Sequence, residues 1–247
     1  MSVIDIIIYC VLAFAVIFGF IRGFSKKRLS SFASQCGFIV AYFAGAPLVE
    51  VLAKTDLCVH IQNGYYSLLP KTEAFTTLIS SDVSIRSSQM STALEEIHIV
   101  KIFHSFFTLR ATDFTSTVGD SLASSFANWT LVGATYIILF LLTFILVKII
   151  LSPLWKDGSL FGEKGKSFFG RICGMLRMVC KVTLCIIAVM IVVSLIASLT
   201  NKFGNTYLQD WIDTELKMED SSAFSIGKMF YKTSSYFFNW IGITTGA

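Results

Sequence analysis

Four apolar stretches divide the chain, and the polar segments between them decide how it is threaded. Val3 to Ile21 is nearly free of polar residues and is long enough to cross a bilayer, for which a helix needs about 20 apolar residues. Leu29 to Leu52 is weaker, because Ser31, Ser34, Gln35 and Pro47 interrupt it. Trp129 to Leu151 is the strongest span, with Trp129 at one interface and Lys148 near the other. Met178 to Leu199 follows, with Lys181 near its start. The pattern predicts an all-α membrane protein with four transmembrane helices, arranged as two hairpins over residues 1–52 and 128–199.

The intervening segment, 53–127, has no run long enough to span. Ser and Thr are dense from Thr76 to Thr92, which predicts loop. Leu94 to Arg110 has a helical stripe: Ile99, Ile102, Phe103 and Phe106 fall on one face, with His98, Lys101, Ser105 and Thr108 on the other. In the tail, 200–247, a short amphipathic stretch (Tyr207 to Met218) precedes an aromatic one (Phe224 to Ile241). Lys228, Lys232 and Asn239 argue against a fifth span there, while Phe230, Tyr231, Phe237, Phe238 and Trp240 suit a helix lying in the interface.

Charge sets the orientation. Lys26, Lys27 and Arg28 follow the first span, and Lys156, Lys164, Lys166, Arg171 and Arg177 occupy the loop between the third and fourth. The 54–126 segment holds five Lys/Arg against seven Asp/Glu. Basic loops stay on the cytoplasmic side, so both termini, the long loop and the tail are expected outside. A cleaved signal peptide would carry its charge before the apolar core. Here the charge comes after it, so the first span reads as retained. Composition agrees: 54% hydrophobic and 15% charged, against about 25% charged in a soluble domain.

Small residues mark close helix approach. Gly19 and Gly23 form a GxxxG, and Ala33, Gly37, Ala41 and Gly45 recur once per turn, as in membrane helices that pack through small faces. These positions predict a tight hairpin of the first two helices. Asp5, Arg22, Glu50, Lys148 and Lys181 all lie near span ends and none at a midplane. Coupled transporters usually place polar groups or broken helices at that depth.

Little in the sequence points to chemistry. Six cysteines show no CxxC pair. The run Gly162-Glu163-Lys164-Gly165-Lys166-Ser167 ends like a phosphate-binding loop, but Leu160 stands where its first glycine is needed. His98 and His104 are six apart and His60 has no local partner, so no metal pair is formed. Asn128-Trp129-Thr130 fits a glycosylation acceptor but abuts a span. No nucleophile context and no basic soluble module for nucleic acid is visible. No catalytic, cofactor-binding or metal-ligating residues are expected, and no residue pattern names a small-molecule substrate.

Two places carry a family resemblance. Asp5, an apolar helix, then Gly19-Phe20-Ile21-Arg22-Gly23-Phe24 is similar to the pattern of the colicin V production protein family (CvpA), small bacterial inner-membrane proteins. Gly170-Arg171-Ile172-Cys173-Gly174-Met175-Leu176-Arg177 resembles the family's segment entering its last helix. The chain departs from the family at Lys164-Gly165-Lys166-Ser167, where an Asp-Arg pair is frequent, at Met178 after Arg177, and in its longer outer loop. The resemblance implies a multi-pass inner-membrane protein linked to toxin export or envelope homeostasis, non-enzymatic, with an oligomeric channel or transporter subunit as the alternative. The expected partners are the lipid bilayer and other membrane proteins or further copies, associating through the small-residue faces. Arg22 and Arg177 are expected either to anchor the cytoplasmic face or to organise a junction between the hairpins. Their candidate partners there are backbone carbonyls, lipid phosphate or Asp157.

Overall fold

The computed structural model describes residues 2–24, 28–80, 82–99, 116–156, 167–202, 206–216 and 225–240. Nine helices are defined among them: α1 Val3–Arg22, α2 Leu29–Ala53, α3 Asp56–Leu68, α4 Glu73–Thr76, α5 Val83–Glu96, α6 Val118–Lys156, α7 Phe168–Lys202, α8 Tyr207–Glu215 and α9 Ile226–Trp240. An isolated antiparallel bridge joins Leu78 and Thr117. Four helical stretches are long and apolar enough to cross a membrane: Val3–Arg22, Leu29–Ala53, Val118–Ser152 and Phe168–Ala197.

The last two helices are longer than hydropathy alone predicts. α6 starts at Val118 rather than Trp129, and α7 at Phe168 rather than Met178. Capping explains both starts. The Thr117 backbone N–H and hydroxyl donate to Asp120 Oδ2, while the Asp120 N–H donates to Thr117 Oγ1. This reciprocal pair satisfies donors that a helix start would otherwise leave open. At α7 the Gly170 N–H donates to Ser167 Oγ. With 39 residues, α6 is roughly 58 Å long at about 1.5 Å per residue. A bilayer core is only about 30 Å thick, so the helix overruns it.

The chain divides into two compact units, one gathering Met1–Ala46 with Thr135–Tyr236 and the other built on Pro47–Ala134. The boundaries fall inside α2 and α6, so both helices contribute residues to both units. In the second unit Phe75, Ile79, Met90, Ala93, Leu94, Val118 and Leu122 form a buried apolar cluster. This cluster reverses a sequence expectation. Thr76 to Thr92 is largely helix, not loop, because α5 buries Met90, Ala93 and Leu94 at helical spacing in that cluster. Packing of this kind overrides the weak helix propensity of Ser and Thr. Asp82 starts the helix by accepting the Ser84 N–H and hydroxyl, and those bonds hold its carboxyl below the usual range. The helix expected over Leu94 to Arg110 does not begin there: α5 ends at Glu96, and His98 turns left-handed at φ 58°. Residues 100–110, His104 among them, lie outside the described residues, as do Lys26, Lys27, Asp157 and the run from Gly162 to Lys166.

In the first unit α9 differs from the expected surface helix. Phe230 and Tyr231 are only 4% and 2% exposed. Phe230 packs with Ile8 of α1, Tyr42 of α2, and Ile187 and Met190 of α7. Tyr231 joins Ala197, Ile212 and Leu216. Phe230 and Tyr231, expected on lipid, are therefore turned into the bundle.

Candidate functional site

The glycines of α1 and α7 meet in backbone contact. A Cβ built on Gly19 would stand 2.6 Å from the Gly174 carbonyl oxygen, and one on Gly174 would stand 2.6 Å from Gly19 O and 2.7 Å from Gly23 Cα. Any side chain there forces the helices apart. Gly23 also closes α1 with φ 65° and ψ −173°, a backbone region that is essentially restricted to glycine, and its N–H donates to Gly19 O at 3.0 Å. Gly170 is buried one turn away in α7. The faces meet because neither carries a Cβ, as in small-residue crossings between membrane helices generally.

The stripe on α2 meets a different partner. A Cβ on Gly37 would lie 2.8 Å from the Phe140 ring, and one on Gly45 would lie 2.6 Å from the Tyr136 ring. Ala33 and Ala41 are buried as well. The expected α1–α2 packing through these glycines is thus corrected: Gly19 faces α7, and Gly37 and Gly45 receive rings from α6. Nor are these glycines open association surfaces, because this chain's own helices fill them.

The family-motif residues Arg22, Phe24 and Arg177 gather near the glycine crossing. Phe24 is buried and meets Phe32 edge-on at 5.6 Å, in a cluster with Cys173. Cys36 and Cys180 border the same cluster. Arg22 lies over the Phe18 ring and Arg171 over the Phe20 ring, at 5.7 and 5.5 Å. The Nε of Arg177 is buried with no hydrogen-bond partner among the described residues.

Asp5 marks a second arrangement, at the start of α1. It is 1% exposed and completes a capping box with Ser2, whose Oγ accepts the Asp5 N–H at 3.0 Å. Its Oδ1 also accepts the Ser225 hydroxyl at 3.0 Å and the Gly227 N–H at 2.9 Å. Ser225 Oγ in turn accepts the Lys228 N–H. One carboxylate thus serves the N-termini of α1 and α9, where backbone N–H groups and the helix dipole favour negative charge. Gly227 permits the approach, since a Cβ there would stand 3.0 Å from Leu216 and 3.2 Å from Ile4. Further along α9, Tyr42 donates to Phe230 O at 2.6 Å and shares a short hydrogen bond with Ser234. Ser225, Gly227, Ser234 and Tyr42 were not singled out from sequence. Their partners lie up to 222 residues away, so no local pattern reveals them, although Ser225 three residues before Lys228 is a readable cap.

Among the described residues no group of three or more His, Cys, Asp or Glu side chains stands together to hold a metal. Residues 4–84 match the family model described as Colicin V production protein. The match supports the resemblance carried by Asp5 and the Gly19–Phe24 motif, and ends before the second motif at Gly170–Arg177. No curated protein and no solved structure matches the chain.

Proposed function

Starting from that family match, we propose that this is a non-enzymatic assembly or scaffold component of the bacterial cytoplasmic membrane. It would support toxin or bacteriocin export or envelope homeostasis by binding other membrane proteins or further copies of itself. The observation that carries this reading is how the first unit is filled. α1 meets α7 backbone to backbone at Gly19 and Gly174, and α6 rings sit on Gly37 and Gly45. Such filling favours a packing element over a pathway through one protomer. The outer face of α6 supplies apolar surface for partners or lipid, with Ile137, Ile138, Leu141, Ile145 and Ile149 all exposed.

On this proposal both termini lie outside the cytoplasm, a reading supported by Arg22, Arg28, Arg171 and Arg177 at the ends expected inside. The test is cross-linking in cells, purification in mild detergent and mass determination of what accompanies the protein. One or two defined membrane partners at fixed ratio is the expected result. A closed homo-oligomer alone, conducting after reconstitution and with cysteines at positions 34 and 35 open to thiol reagents, would replace the scaffold with a channel.

A further inference from the structure

Arg177 stands on α7 three residues beyond Gly174, and Arg22 on α1 three residues beyond Gly19. Because Gly19 and Gly174 are in contact, the two arginines are held at fixed spacing. Arg28 adds a third immediately before α2, close enough for its charge and that of Arg22 to act on the Arg177 guanidinium. Side chains on a helix lean towards its N-terminus, which carries Arg177 back towards the crossing. Three like charges gathered at one place repel one another, and an anion between them relieves that repulsion. None of the ion pairs found among the described residues includes Arg22, Arg28 or Arg177. Instead, the Arg177 Nε is buried without a hydrogen-bond partner among the described residues, although an orphaned buried donor is costly. The guanidinium fork matches phosphate oxygens in pairs.

We propose that Arg22, Arg28 and Arg177 form a receptor for a phosphate group, of the kind carried by acidic membrane lipids. The Gly19–Gly174 crossing sets the width of the receptor. Phe18 lies under the Arg22 guanidinium at 5.7 Å, and a guanidinium stacked on a ring still presents its N–H edges to phosphate oxygens. This assignment does not depend on the scaffold reading.

The test uses the full chain purified in detergent, with phosphatidylglycerol, cardiolipin or phosphatidylcholine added. Lipid retention is read by native mass spectrometry and lipid-dependent thermal stabilisation. The expected result is preferential retention of the two acidic lipids. That affinity falls about fivefold for each arginine removed, the usual contribution of one basic residue near an acidic membrane. Arg177→Gln, Arg177→Lys and the double variant Arg22→Gln/Arg28→Gln all weaken it, the Lys variant because it keeps the charge but loses the fork. Lys54→Gln, whose partner is Glu50, leaves it unchanged. Should Arg177→Gln fail to fold, the double variant still decides, since Arg22 is exposed and Arg28 only half-buried. Saturable binding of inorganic phosphate with the same arginine dependence supports the site and assigns its source to soluble phosphate. Equal retention of phosphatidylcholine, or wild-type lipid binding in both Arg177→Lys and the double variant, overturns the proposal. So does a marked rise in acidic-lipid retention in Asp157→Asn, which would show that this carboxylate, and not a phosphate, occupies the arginines in the wild type.

Discussion

At Gly174 the absence of one carbon decides whether α1 and α7 can touch. Gly174→Ala places a methyl 2.6 Å from Gly19 O. Backbone on both sides cannot rotate away, so the expected cost is about 1–3 kcal/mol, as for other forced overpacking. Thermal unfolding in detergent should show it. Gly64→Ala is the contrast, because nothing lies within 4 Å of its Cβ position inside α3. It should raise stability by about 0.5–1 kcal/mol, the ordinary penalty for glycine in a helix. Equal effects at the two sites would refute the contact argument. Asp5 is the second decisive residue. Asp5→Ala leaves the Gly227 N–H and the Ser225 hydroxyl without their acceptor, at about 1–3 kcal/mol for the buried Gly227 N–H and less for the half-buried Ser225 hydroxyl. Hydrogen exchange along α9 should accelerate, while exchange in the middle of α7 should not. That Asp5 matters could be read from its place in the family pattern. That it ties the tail to the first helix could not, because Ser225 and Gly227 are more than 200 positions away.

Among the elements, α5 and α9 show where sequence pattern and structure part. α5 carries Ser and Thr on its outer positions and is helical because Met90, Ala93 and Leu94 are buried from one side. Its Asp82 cap makes a pH prediction. The Ser84 donors depress the Asp82 pKa in the folded state. The cap's contribution is therefore complete above the ordinary carboxyl range and is lost as pH falls through the depressed value. Helicity by circular dichroism should drop on acidification in the wild type, and an Asp82→Ala variant should lack that component. For α9, amphipathicity was legible but not the surface that would cover it. A membrane interface and a groove between helices both accept an apolar face, and contacts such as that of Tyr42 with Ser234 distinguish them. Tyr42→Phe should destabilise α9 by about 0.5–1.5 kcal/mol, the usual net value of a hydrogen bond. In the variant the Ser234 hydroxyl is free to donate to Phe230 O, so a loss no larger than that is expected from thermal unfolding.

For the molecule as a whole, hydropathy and basic-residue placement predict threading. A cysteine placed at Thr55, which is exposed, should react with a membrane-impermeant thiol reagent in intact cells. A cysteine placed at Ser159 should react only after lysis. The opposite pattern would invert the orientation and put the arginine cluster outside. The number, order and type of the spans follow from sequence by itself, because burying backbone in lipid demands long apolar helices whatever their neighbours. The capping residues Thr117, Asp120 and Ser167 were legible too, and would have placed the starts of α6 and α7 correctly. Only the tertiary structure decided which helices touch. A glycine stripe says that a partner comes close without naming it, since Gly37 would accept any ring and receives Phe140. The same holds for Asp5, whose carboxylate would accept any free helix N-terminus. Here that choice is made by the packing of Ile4, Leu216 and Gly227, which no stretch of sequence contains together.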